Sequence, residues 1–275
     1  MADRPVTVVT GAGGQVGRAL RERLPSLRYL THAELDVRDA PTVTDALRGA
    51  DCVIHLAAMT HVDRCQQQPQ LAWDINGQGT ANVCRAAADG ARVIYVSTDY
   101  VFSGSKGDAY SEEDVPQPGN VYGETKLAGE REVLARQNSL VLRTSWVYGE
   151  GANFVRTILA AARAGAPLRV VADQIGRPTS ARSVAVALAF LLERPVTGLL
   201  HVSGDGPATT WAGLAEAALS DAGVAANVEH ITSAEYAAPA PRPANSMLCL
   251  SRARELGVPL HSWRAELRRF VRAGA

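Results

Sequence analysis

Near its N-terminus this chain runs from an apolar stretch straight into three evenly spaced glycines, and few folds accommodate that. Pro5 to Thr10 (PVTVVT) reads as a buried strand, and Thr10-Gly11-Ala12-Gly13-Gly14-Gln15-Val16-Gly17 follows without a break. Gln15 to Leu24 then reads as a helix with Val16, Leu20 and Leu24 on one face. Gly11, Gly14 and Gly17 thus make GxxGxxG at a strand-to-helix junction. Gly11 permits the tight turn, Gly14 lets a pyrophosphate approach the backbone, and Gly17 lets helix and strand pack closely. N–H groups at the helix start, at the positive end of its dipole, can then hold phosphates. It is this context, more than the glycines alone, that predicts nucleotide binding.

The rest of the chain continues the alternation. Leu27 to Leu30, Asp51 to Ala57, Arg92 to Thr98 and Ser139 to Thr144 read as strands, with helices at Ala72 to Asp89 and Asn120 to Arg136. Near-continuous apolar strands separated by helices imply a parallel sheet covered on both faces. The prediction is an α/β, doubly wound, Rossmann-like fold. After about residue 145 the pattern loosens. Helices are expected at Asn153 to Ala164, Ser183 to Glu193, Thr210 to Ala222 and Trp263 to Arg272, with strands at Leu168 to Ala172 and Leu199 to Ser203. Residues 1–150 are therefore assigned to a dinucleotide-binding domain to which 177–205 return. Residues 151–275 form mainly a smaller C-terminal substrate-binding lobe over the strand ends, where open sheets bind ligands.

Composition narrows the partners. The 275 residues carry 28 basic and 28 acidic groups, so no net field attracts nucleic acid or an anionic membrane surface. No apolar run approaches the roughly 20 residues of a spanning helix. Met1 to Pro5 enters the first strand at once, which predicts no signal peptide and a cytoplasmic setting. Cys52, Cys65, Cys84 and Cys249 lack CxxC spacing, which argues against a disulfide framework or zinc site, and Cys52 reads as a small buried hydrophobe. Only two of the basic residues are lysines. Lys106 lies between glycines in a polar loop and is expected to be solvated, which leaves Lys126 as the lysine of interest.

Tyr122-Gly123-Glu124-Thr125-Lys126 places Tyr122 and Lys126 on one helical face. With 7 tyrosines and two lysines, chance yields about 0.05 such pairs. A nearby ammonium can lower a phenol's pKa, and a phenol so tuned exchanges protons with a ketone oxygen near neutral pH. The strand before it ends in Ser97-Thr98-Asp99, where the Thr98 hydroxyl could hydrogen-bond the same oxygen. Asp36, 25 positions after Gly11, is a candidate for the adenosine, with Glu34 as competitor. Thr31-His32 offers no adjacent arginine for a 2′-phosphate, so NADH and NADPH stay equally open.

Hydroxyl, phenol and ammonium in this order behind a glycine turn resemble the extended short-chain dehydrogenase/reductase superfamily. The segments 55–63 (HLAAMTHVD), 97–102 (STDYVF), 121–130 (VYGETKLAGE), 142–148 (LRTSWVY), 173–179 (DQIGRPT) and 242–246 (RPANS) together closely resemble the dTDP-4-dehydrorhamnose reductase family. The resemblance runs from about Val6 to Trp263. It implies reduction of the C4 ketone of dTDP-4-dehydro-6-deoxy-L-mannose to dTDP-L-rhamnose, with NADPH or NADH as donor. By the same resemblance, Gly14, Gln15 and Val16 meet the pyrophosphate, Asp36 and Val37 the adenosine, and Ala57, Ala58, Met59 and Thr60 lie beside the cofactor. Thr98, Tyr122 and Lys126 form the catalytic set; Tyr122 is the general acid, and Lys126 holds the nicotinamide ribose and depresses the phenol's pKa. Asp99, Trp146 and Arg242 face the dTDP-sugar.

Alternatives stay open: another sugar-nucleotide 4-ketoreductase or epimerase, or a dinucleotide-binding regulatory subunit like that of methionine adenosyltransferase. Dehydratases of the superfamily place an Asp-Glu pair after the strand-end threonine, whereas here Tyr100 follows Asp99. Some members are described as magnesium-bridged dimers using a carboxylate in the first helix. The matching position here is Ala19, and the stretch after Pro178 offers Arg182. No metal and no magnesium-bridged dimer are therefore expected, with the oligomeric state open.

Overall fold

The computed structural model describes residues 5–275; Met1 to Arg4, part of the N-terminal reading above, lie outside the described residues. In chain order the first half comprises β1 (Thr7–Thr10), α1 (Gln15–Arg23), β2 (Arg28–Leu30), α2 (Ala40–Leu47), β3 (Cys52–His55), α3 (Val62–Gln67) and α4 (Pro69–Ala72). A π-helical stretch (Trp73–Gln78) leads into α5 (Gly79–Ala86), β4 (Arg92–Thr98), a 3₁₀ turn (Asp99–Val101), α6 (Val121–Leu134) and β5 (Ser139–Thr144). The second half holds β6 (Val147–Tyr148), α7 (Phe154–Arg163), β7 (Leu168–Val171), β8 (Ile175–Gly176), β9 (Thr179–Ser180), α8 (Ala181–Leu192) and β10 (Gly198–His201). It ends with β11 (Thr209–Thr210), α9 (Trp211–Ala222), β12 (Val228–Ile231), α10 (Ser233–Tyr236), α11 (Ser251–Glu255) and α12 (Trp263–Arg272).

Six strands form one sheet in the order β10-β5-β4-β3-β1-β2, every pairing parallel. Alternate residues of these strands face opposite sides. Val9, Ile54, Ile94, Leu140 and Leu142 meet α1 and α8 through Leu20, Val184 and Leu188. Val8, Val53, Val93 and Val141 meet the other layer through Val43, Leu47, Val83 and Val133. The order reverses between β1 and β3, and such a switch point opens a crevice at the strands' C-terminal ends. A third core joins α7, α9 and α12 in the lobe through Val155, Leu159, Leu214 and Leu267. α8 and β10 leave that lobe: β10 pairs with β5 and closes the sheet edge.

One reading of the sequence is corrected and one element is added. The single helix expected over 72–89 is interrupted by the π-helical stretch. Within it the fully buried Asn76 donates to the Met59 carbonyl and the Thr125 hydroxyl and accepts the Met59 N–H. The helix α2 has no counterpart among the elements read from the sequence. Pro41 occupies the first turn, where its missing N–H costs nothing, and Asp39 caps the Thr42 N–H.

Candidate active site

The crevice begins at the glycine turn. Gly11 has φ +69°, and a Cβ there would stand 2.4 Å from the Ala57 nitrogen, so β1 and β3 meet at bare backbone. A Cβ on Gly17 would lie 2.6 Å from Ala12 Cα, which locks α1 close over the turn. Gly14 is the N-cap of α1; no side chain caps that end and no acid occupies its first turn. The first amides of α1 are thus left to a bound anion, and the Gln15 Oε1 beside them is buried without a partner. Residues and geometry fit a dinucleotide pyrophosphate. Val16 lines the same turn, and Ala57, Ala58, Met59 and Thr60 follow β3 across the crevice from it.

Asp36 and Val37, expected at the adenosine, lie in the segment between β2 and α2. Val37 is buried and presses on Gly79, where a Cβ would meet its side chain at 2.6 Å. The Asp36 carboxylate is engaged by Arg38, whose Nε and Nη2 donate at 2.9 and 2.5 Å. That fork is the chief reason its pKa falls to about 2. Glu34, the competitor, instead accepts the Thr31 N–H and hydroxyl.

Thr98 ends β4, and the 3₁₀ turn after it receives the start of α6. Gly123 makes this docking possible, because a Cβ there would stand 2.1 Å from the Tyr100 carbonyl. Asn120 caps α6 through the Gly123 N–H. Tyr122 is thereby buried against Tyr100, edge to face at 5.6 Å, with the Thr98 hydroxyl facing its phenol. Thr98 itself donates to Asp99 Oδ1 at 2.9 Å. One turn further on, Lys126 Nζ donates to the Val96 carbonyl at 2.8 Å and stands 3.9 Å over the Tyr95 ring.

The expected electrostatics of this pair need correction. Burial dominates both groups: it lifts the Tyr122 phenol well above its ordinary range, with the Thr98 hydroxyl pulling the other way. It also brings Lys126 down to about 7. The ammonium does not loosen the phenol's proton here, since desolvation penalises each charged form before the two can assist each other. Lys106 is solvent-exposed, as expected, and pairs at the surface with Asp114 at 2.7 Å.

Trp146 follows β5, half-buried, and its indole N–H donates to Ser246 at 2.9 Å. Arg242 reaches α3, where its Nη1 and Nη2 donate to the Asp63 carboxylate at 3.0 and 2.8 Å. Its fork is thus already occupied by a carboxylate, at a site suited to an anion. Sequence reasoning missed Asn76, Ser246 and the buried His55, which hydrogen-bonds the hydroxyls of Thr10 and Thr80. Asn76 and Thr80, one helical turn apart, were the available signal, because both are polar on the face that the apolar pattern buries.

Chains that combine this sheet, crevice and residue set form the extended branch of the short-chain dehydrogenases and reductases, and the present chain is an oxidoreductase of that class. Within it, the family described as RmlD substrate binding domain matches residues 6–275, and the chain belongs to that family. A dTDP-4-dehydrorhamnose reductase of Sinorhizobium fredii is 40% identical over 96% of this chain and 95% of its own. A probable dTDP-4,6-dihydroxy-2-methyloxan-3-one 4-ketoreductase of Streptomyces antibioticus is 37% identical over 95% of this chain and 92% of its own. The crystal structure of dTDP-4-dehydrorhamnose reductase from Bacillus anthracis in complex with NADP superposes with a TM-score of 0.94 at 34% identity, covering 98% of this chain and 99% of that one.

Proposed function

We propose that this chain reduces the C4 ketone of dTDP-4-dehydro-6-deoxy-L-mannose to dTDP-L-rhamnose, using NADPH or NADH. The observation that carries the reading is Tyr122, buried against Tyr100 on the turn that follows Thr98 at the end of β4, together with an uncapped glycine turn. The first amides of α1 at Gly14, Gln15 and Val16 would hold the pyrophosphate, Asp36 and Val37 the adenosine, and Lys126 the nicotinamide ribose. The nicotinamide supplies the hydride. Residues 57–60 would flank it, and Asp99 and Trp146 from the first part of the chain, with Arg242 from the lobe over residues 151–275, would hold the dTDP-sugar.

Tyr122 carries its proton at neutral pH, as the acid in a reduction must, while burial leaves it a weaker acid than an ordinary phenol. When the sugar binds, the Thr98 hydroxyl turns from Asp99 Oδ1 to donate to the ketone oxygen while Tyr122 protonates it. The phenolate left behind is the charge that a nearby Lys126 ammonium would offset, and this gives the lysine its task late in the reaction.

The test is steady-state oxidation of NADPH by the purified chain with the 4-keto sugar. Tyr122→Phe should lower kcat roughly 10²- to 10⁴-fold with NADPH affinity kept; full turnover in that variant would overturn the assignment. The Streptomyces antibioticus relative favours one second reading, reduction of a different deoxysugar nucleotide. Product stereochemistry by NMR separates the two. A cytoplasmic setting and an assembly without bridging magnesium complete the proposal; among the described residues, no helix is long and apolar enough to cross a membrane.

A further inference from the structure

Trp146 has an unusual backbone for so large a residue: φ is +47°, in the left-handed region. Its surroundings have to hold it there. The indole N–H donates to Ser246 Oγ at 2.9 Å, and a Cβ on Gly176 would stand 2.5 Å from the ring. One face of the indole lies on Trp211, with 3.8 Å between ring centroids and 9° between planes. Both indoles are half-buried, and Phe154 meets Trp211 edge to face at 4.8 Å.

β8 and β11 bring Trp211 to this place. Thr209 pairs with Gly176 and Thr210 with Ile175, antiparallel, so the next residues along, Trp211 and Gln174, fall side by side. Gln174 is 4% exposed, although its neighbours Asp173 and Ile175 are exposed. Both ends of its amide are engaged: Oε1 accepts the Trp211 indole N–H at 3.1 Å, and Nε2 donates to Ser233 Oγ at 2.9 Å. Ser233 Oγ in turn donates to Asp173 Oδ1 at 2.7 Å. The direction of this series is forced at both ends, because an indole N–H can only donate and a carboxylate can only accept. One orientation of the amide satisfies all three bonds, and the Trp211 ring is turned to match it.

We infer that Trp211 is a positioning residue for sugar binding: turned by Gln174, it holds the Trp146 ring in one plane. The inference rests on the role proposed above for Trp146 toward the dTDP-sugar. A bulky residue in the left-handed region is kept there by its surroundings, so what the ring touches decides where it lies. Ser246 fixes the indole nitrogen alone, and a single hydrogen bond leaves the ring free to swing about that point. The flat face of Trp211 removes that freedom across the whole ring. Plain packing would ask only for apolar area at position 211 and would leave the buried amide of Gln174 without a task. The bonded series from indole to Asp173 is what separates positioning from filling.

Two indoles stacked this closely couple their transitions and give paired circular-dichroism bands of opposite sign. In the full chain without substrate, Trp146→Phe and Trp211→Phe should each abolish that couplet, since Trp73 and Trp263 lie outside the pair. Gln174→Met and Ser233→Ala keep all 4 tryptophans, so a weakened couplet in both reports a turned ring. Ser233 is only half-buried and touches neither indole through its hydroxyl, which separates a turned ring from a folding defect. With NADPH and the 4-keto sugar, Trp211→Ala and Gln174→Met should raise the sugar KM roughly 3- to 10-fold. Their kcat and NADPH affinity should stay at wild-type values, as expected when binding rather than chemistry is lost. Trp211→Phe, which keeps a flat ring, should recover part of the KM lost in Trp211→Ala. A wild-type chain without the couplet, or a full couplet in both Gln174→Met and Ser233→Ala, would overturn the orienting series whether or not the sugar is reduced. A weakened couplet with an unchanged sugar KM would overturn the positioning role. Failure of the wild-type chain to reduce the sugar would sink the proposed function and the positioning role with it, while the couplet would still decide whether Gln174 turns the rings.

Discussion

Two imidazoles sit where protonation is expensive. His55 is wedged between Thr10 and Thr80, and His201 faces the Tyr110 carbonyl and the Arg143 guanidinium. Burial, followed by the charges of Lys126 and Arg143 respectively, brings each down to about 3. Unfolding returns both to an ordinary value near 6.5, so the unfolded chain binds more protons between those limits. Their contribution is whole above pH 6.5 and is lost as the pH falls toward 3. Urea titrations between pH 6.5 and 5 should show stability falling by about 1.4 kcal/mol per pH unit for each histidine. His55→Gln should remove one histidine's share of that slope; an unchanged slope would contradict the assignment. In the sequence His55 is one polar letter inside CVIHL. Its neutrality is invisible there, because only burial imposes it.

At the level of elements, the strand and helix periods were readable, and β4, β5 and α12 lie where the apolar pattern put them. What the pattern omits is how elements are fastened together. Arg143 on β5 and Glu130 on α6, each 1% exposed, form a two-pronged ion pair at 2.9 and 2.6 Å. Arg143 looked like a charge in an apolar strand, with no local clue to its partner. Removing one member leaves a buried charge uncompensated, so Glu130→Gln should cost about 3–5 kcal/mol in chemical denaturation. Replacing both residues with apolar ones should recover much of that loss. If the single and double variants were equally unstable, the pair would not be what fastens α6 to the sheet.

Across the whole molecule, the chain's return matters most. Val184, Leu188, Leu191, Leu200 and Val202 complete the core over α1, and Arg92 donates to the carbonyls of Leu191 and Val196. Residues 1–150 expressed alone should therefore show no cooperative unfolding transition by circular dichroism; a sharp one would show that the first half folds unaided. By itself the sequence determined the alternation of strands and helices, the phosphate-ready turn, and the placing of Tyr122 and Lys126 on one face. Each of these depends on residues a few positions apart, through steric preference and periodicity. Tertiary structure alone decided that Arg242 would meet Asp63, 179 positions away, and that Trp146 would meet Ser246, 100 positions away. It also decided which groups keep their protons. Those outcomes depend on water being excluded by segments that are distant in the chain, and no local pattern records which distant segment will do the excluding.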